Sequence, residues 1–184
     1  MERDAFFEGA LLGLAVGDAL GMPFESVPPS AIRRVLCGRL RFYDSYSPIT
    51  DGLKAGQWTD DTKMMLCHLD SILETGKIVP EDVARRFIEW EVSGDLRGIG
   101  VTTARAIERL RRGVDWRESG IRGEYAAGNG AAMRIAPVGL YYAFSDEEIF
   151  SVVSSMSIIT HNNPEAIGGA YAVAYAISRA ASGR

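Results

Sequence analysis

Thr59, Asp60 and Asp61 set a hydroxyl and two carboxylates side by side in Gly56-Gln57-Trp58-Thr59-Asp60-Asp61-Thr62. Asp51-Gly52 and Gly56 before them are turn residues. Met64, Met65, Leu66, Leu69, Ile72 and Leu73 after them recur at helical spacing. Two readings are open. Thr59 is a good N-cap, with Asp60 and Asp61 in a first turn where the helix dipole favours negative charge. The same three side chains are hard oxygen donors of the kind that hold Mg²⁺ or Mn²⁺. Three other places carry groups able to bind or react. Glu25 follows Gly21-Met22-Pro23-Phe24, so among apolar neighbours it needs a partner if it points inward. Gly128-Asn129-Gly130-Ala131-Ala132 is either a tight turn or a loop whose backbone N–H groups meet an anion at a helix start. His161, in Thr160-His161-Asn162-Asn163-Pro164, can donate to a ribose or phosphate oxygen or cap the next helix.

Helices must position these groups. Residues 2–20 carry a stripe of Phe6, Phe7, Ala10, Leu11, Leu14, Ala15 and Val16, which Pro23 ends. A short helix over 30–37 is expected with Ser30 as its cap and Ile32, Val35 and Leu36 inward. The longest irregular stretch, 38–58, is aromatic and turn-rich. The helix from Thr59 runs to about Thr75 and stops at Gly76. Pro80 opens another, with Val83, Phe87, Ile88 and Trp90 toward the core. A helix from Thr102 or Thr103 closes at Gly113, and 113–124 reads as polar linker. Arg134 is read as a buried ion-pair partner rather than a phosphate contact, and Pro137 as a break. A capping box at Ser145-Asp146-Glu147-Glu148 opens a helix to about Ser157, and Pro164 starts an Ala-rich last one. Seven helical segments with almost no alternating pattern give an all-α domain whose Ala/Gly-rich helices pack closely. The polar loops around Glu25, Thr59 and Asn129 with His161 are expected to meet at one end of it.

The 184 residues suit one domain with a real core. A net charge of −4 argues against a broad nucleic-acid footprint. Cys37 and Cys67 form no disulfide framework or metal-spaced pair, which fits a reducing, cytoplasmic setting. The first apolar run lacks a basic leader and is broken by Gly13, Gly17 and Asp18, so neither a signal peptide nor a membrane span is expected.

In order along the chain, Gly17-Asp18-Ala19-Leu20-Gly21-Met22-Pro23-Phe24-Glu25, Gly56-Gln57-Trp58-Thr59-Asp60-Asp61-Thr62, Gly128-Asn129-Gly130-Ala131-Ala132-Met133-Arg134 and Thr160-His161 resemble the ADP-ribosylglycohydrolase family. The resemblance implies an all-α orthogonal bundle with a binuclear Mg²⁺ or Mn²⁺ centre. Water would cleave the glycosidic bond at the distal ribose of an ADP-ribosylated protein or small conjugate. It makes Thr59, Asp60 and Asp61 metal ligands, and Glu25, Asp60 and Asp61 the catalytic acids. Gly128, Asn129, Gly130 and His161 would hold the ligand, while Asp18 would support the loop. A Gly-Asn-Asp-Thr-Asp-type motif normally completes the family's metal site and has no counterpart in residues 1–184. The expectation is therefore the N-terminal part of the family domain, with another chain as one way to complete the site. The alternative is a non-catalytic module that binds ADP-ribose or a nucleotide.

Overall fold

Ala166, Ala170, Ala174, Ser178 and Ala181 fall on one face of a helix and are all buried, which makes the last helix the axis of the packing. The computed structural model describes residues 2–145 and 149–183. Among them the helices are α1 (Glu2–Gly21), α2 (Pro29–Leu36), α3 (Asp60–Thr75), α4 (Pro80–Ser93), α5 (Val101–Arg111), α6 (Trp116–Ser119), α7 (Ala136–Tyr141), α8 (Ile149–Ile158) and α9 (Pro164–Ala181). Short 3₁₀ turns occupy Met22–Phe24, Glu124–Ala126 and Asn129–Ala131. No strand occurs among the described residues; one isolated bridge joins Ile121 to His161. The all-α expectation holds.

Small residues let the axes approach. A Cβ built on Gly139 of α7 would lie 2.6 Å from the Ala174 carbonyl oxygen of α9, so only glycine fits there. Ser178 closes the same contact by donating to the Tyr142 carbonyl at 2.9 Å. Around this seam Met64, Phe87, Ile107, Ile135, Val138, Val153, Met156 and Ile159 form one apolar core. Helix α1 lies at its edge, with Phe7, Ala10 and Leu11 against Leu140, Ala143, Ile177 and Ala181. Its other face exposes Phe6, Leu12 and Val16. The span Asp4–Phe24 is long and apolar enough to cross a membrane by length and composition, although α1 packs on α3, α7 and α9.

Local chemistry departs from expectation at four points. Ser30 is not the cap of α2: Pro28 holds that position and Pro29 starts the helix, because proline presets the φ that a first turn requires. Helix α6 lies within the expected linker, where the Asp115 carboxylate accepts from the Arg117 N–H at 2.8 Å. Arg134 is wholly buried, as expected, but has no carboxylate partner among the described residues. It donates to the Met156 carbonyl at 3.0 Å and stands 5.0 Å over the Phe87 ring. Last, Asn163 rather than His161 caps α9, accepting from the N–H groups of Glu165 and Ala166. The expected capping box falls on Asp146, Glu147 and Glu148, which lie outside the described residues.

Candidate active site

The site is built on the end of α1. Asp18, one turn before that end, reaches α3 across 41 residues of sequence. One of its oxygens accepts from the backbone N–H of Thr59 at 2.8 Å and of Thr62 at 3.1 Å, and from the Thr62 hydroxyl at 2.6 Å. The other accepts from the Thr59 hydroxyl at 2.8 Å. Asp18 therefore does the capping that the sequence assigns to Thr59, whose own hydroxyl makes no cap bond. With its proton committed to Asp18, the Thr59 oxygen keeps its lone pairs for another group.

Asp60 and Asp61 follow in the first turn of α3. Burial, and next the charge of Asp61, push the Asp60 carboxyl up to about 7. Burial, then the charges of Asp18 and Glu25, push Asp61 up to about 6. Partial burial followed by the charge of Asp18 raises Glu25 as well. Among the described residues no Lys or Arg pairs with any of the three. Crowded carboxylates without an ion-pair partner favour either shared protons or a cation. The donors are all hard oxygens, which suits a Mg²⁺-type ion. Among the described residues no three His, Cys, Asp or Glu side chains form a ready-made metal cage.

A second wall faces these acids. The Gly128–Gly130 loop turns into the 3₁₀ turn at Asn129, and His161 lies flat against it. A Cβ on Gly130 would meet the His161 ring at 2.4 Å, so glycine is required for the approach. His161 is 3% exposed, and its Nδ1 shares a hydrogen bond with the Thr160 hydroxyl at 2.8 Å. Burial, followed by the charge of Arg134, lowers its pKa to about 4, so it is neutral near pH 7. His68, seven residues after Asp61, is a core residue instead, with Nδ1 bonded to the Met64 carbonyl at 2.8 Å.

One cavity of about 430 Å³ gathers Asp18, Glu25, Thr59, Asp60, Asp61, Gly128, Asn129, Gly130 and His161. Every site residue expected from sequence lines it. The structure adds a third wall that the sequence reading did not assign to the site: Gly98 and Gly100 with Val101, Thr102 and Thr103 at the start of α5. Gly98, at φ +76°, leans on α3 so closely that a Cβ would stand 2.8 Å from an Asp60 carboxylate oxygen. The signal was present, since Gly98-Ile99-Gly100 before a helix repeats the small-residue pattern seen at Gly128–Gly130. Gly17, Gly21, Met22, Phe24 and Met133 complete the lining.

The family model for ADP-ribosylglycohydrolase matches residues 2–184. The chain belongs to the ADP-ribosylglycohydrolase family. An uncharacterised protein of Archaeoglobus fulgidus is 44% identical over 94% of this chain and 54% of its own length. The ADP-ribosylarginine hydrolase Tri1 of Pseudomonas putida is 34% identical over 87% of this chain and 42% of its own. A solved chain described as an ADP-ribosylglycohydrolase-related protein complex superposes with a TM-score of 0.79 at 33% identity. It covers 98% of this chain and 57% of the solved one. The chain thus spans about half the length of the curated relatives it matches.

Proposed function

We propose that this glycohydrolase removes ADP-ribose from a modified acceptor by hydrolysing the glycosidic bond at the distal ribose. One observation carries the reading. Uncompensated acids and a histidine-backed Gly-Asn-Gly loop, from distant parts of the chain, face one cavity of about 430 Å³. Acids alone would suit many ions, and a glycine loop alone many anions. Together they suit a ligand with a phosphate end and a sugar end.

Thr59, Asp60 and Asp61 would hold Mg²⁺ or Mn²⁺, which when bound orients ribose hydroxyls and makes a coordinated water more acidic. The backbone N–H groups of Gly128, Asn129 and Gly130 would hold the diphosphate or a ribose, with neutral His161 as a further contact. Glu25, whose raised pKa makes it a better base than an ordinary carboxylate, takes a proton from the water that attacks the anomeric carbon. The bond to the acceptor nitrogen or oxygen breaks with its electron pair staying on the acceptor, which takes up the proton that Glu25 removed from water. Asp60 and Asp61 face the positive charge that develops on the sugar. The arginine linkage is the first to try, because the Pseudomonas putida relative is named for it.

The test is release of ADP-ribose from an ADP-ribosylarginine peptide, with Mg²⁺ or Mn²⁺ and with a chelator. Release only with the ion is expected. Undiminished release in the chelator overturns the metal assignment. Calorimetric binding of ADP-ribose without any release would favour the non-catalytic module, and neither binding nor release overturns the reading altogether.

A further inference from the structure

Between Glu25 and Asp44 the chain carries Arg33, Arg34, Arg39 and Arg41 and not one acidic residue, in a protein whose net charge is −4. All four are exposed. None forms an ion pair among the described residues. Asp44, the nearest acid after them, is taken by Lys54 at 3.3 Å and by the Ala55 N–H at 2.9 Å. Seven arginines farther along the chain, Arg85, Arg86, Arg97, Arg111, Arg112, Arg117 and Arg122, have carboxylate partners. Arg33, Arg34, Arg39 and Arg41 are by contrast a local run of one sign with no acid between them.

Two of the four, Arg39 and Arg41, are joined to the cleft by direct contacts. Phe24 lines the cavity and stacks on Tyr46 with ring centroids 5.9 Å apart. It also meets Tyr43 edge-on at 5.6 Å. The Arg41 guanidinium lies 4.8 Å over the Tyr43 ring, and the Tyr43 hydroxyl donates to the Arg39 carbonyl at 3.2 Å. The Tyr46 N–H donates to the Pro23 carbonyl at 2.9 Å, tying the loop to the turn before Glu25. Leu40, Phe42 and Tyr46 stand exposed among the cations. Arginines on an aromatic base, with apolar groups between them, suit a peptide that carries carboxylates and some apolar side chains.

We propose that Arg33, Arg34, Arg39 and Arg41 dock an acidic segment of the protein that bears the modification, holding it beside the cleft while its ADP-ribose enters. The inference rests on the glycohydrolase reading for the identity of the partner. The surface selects acceptors by charge near the modified residue, and this selection is independent of the chemistry in the cavity. Four exposed cations recognise charge at modest affinity and lose it in salt.

The experiment uses the full-length protein and an unmodified probe. Fluorescence anisotropy is read for a labelled glutamate-rich peptide, a Gly/Ser peptide and a single-stranded RNA of equal length, at low and high salt. The acidic peptide is expected to bind at low salt, the Gly/Ser peptide not to bind, and high salt to remove binding. Arg39→Glu with Arg41→Glu should weaken the acidic peptide about tenfold, and Arg39→Lys with Arg41→Lys should keep most of it. Equal binding of the Gly/Ser peptide, tighter binding of the RNA, or no effect of charge reversal would each overturn the proposal. Calorimetry with ADP-ribose on the same samples separates the two readings. Unchanged ADP-ribose affinity in the charge-reversed variant is expected, and an unaltered peptide result beside absent ADP-ribose binding would sink only the glycohydrolase reading.

Discussion

The carboxylates of the α4–α6 surface and those at the head of α3 have the same chemistry and opposite environments. Asp82 is held down to about 2 against its partial burial, because Arg86 and Arg85 donate to it. Asp95 is lowered by its hydrogen bonds from Arg97, and Asp115 first by the Arg117 backbone N–H. Each of these acids is matched within a few residues. Asp60, Asp61 and Glu25 are raised instead, by burial and by one another. Matched acids stabilise a surface, whereas unmatched acids in a cleft store electrostatic cost that a bound cation or a developing positive charge relieves. The difference is what supports placing the proposed chemistry at the head of α3.

The largest effect should come from removing the stored charge. Asp60→Asn with Asp61→Asn is expected to cut ADP-ribose release by at least about 10²-fold. Far-UV circular dichroism should show the helical fold intact. Thermal unfolding in a chelator checks the same point without turnover. Asp60 binds its proton more tightly folded, at about 7, than unfolded, near 4, so its contribution to stability falls as pH rises through that window. His161 and His68 act oppositely. Their folded values, about 4 and about 3, lie below the unfolded 6.5, so protonation favours unfolding as pH drops below that. The difference between wild type and Asp60→Asn isolates the carboxylate. The variant should melt several degrees higher at pH 8, and the gap should close by pH 4. Added Mg²⁺ or Mn²⁺ should raise the wild-type midpoint at pH 8 and leave the double variant unmoved.

Much of this was legible because its causes are local. Helix α3 begins where Thr59-Asp60-Asp61 says it does, and Pro80 and Pro164 open α4 and α9. Ordered motifs disclosed the cavity lining. What escaped depends on partners distant in sequence. Nothing near Thr59 shows that Asp18 takes its hydroxyl, and nothing near Arg134 shows that a carbonyl, rather than a carboxylate, receives it. The start of α5 was expected at Thr102 or Thr103, close to the observed Val101, but its place in the cleft was missed for another reason. Nothing local to Gly98 and Gly100 shows that Gly98 is pressed against Asp60, 38 residues earlier in the chain. The proposed arginine surface escaped because net charge averages over the whole chain.

Smaller changes sharpen the contrast between a matched and an unmatched acid. Asp18 is the matched carboxylate inside the site, with four donors on it. Asp18→Asn turns an NH₂ toward groups that need an acceptor, and should cost about 2–3 kcal/mol by urea unfolding. Gly130→Ala presses a methyl into the His161 ring. It should cost about 1–3 kcal/mol and weaken ADP-ribose binding by calorimetry roughly tenfold, as the loop backs away.

The smallest effect belongs to the surface. Glu108 and Arg112 pair one turn apart on α5, 56% and 74% exposed. Solvent already satisfies both charges, so Glu108→Gln should change stability by less than about 0.5 kcal/mol and leave ADP-ribose release unaltered. A Glu108→Gln loss of ADP-ribose release as large as that of Asp60→Asn with Asp61→Asn would remove the distinction drawn between the two sets of acids. Equal losses would mean that the charge left unmatched at α3 is no better a guide to function than a solvated ion pair at the C-terminal end of α5.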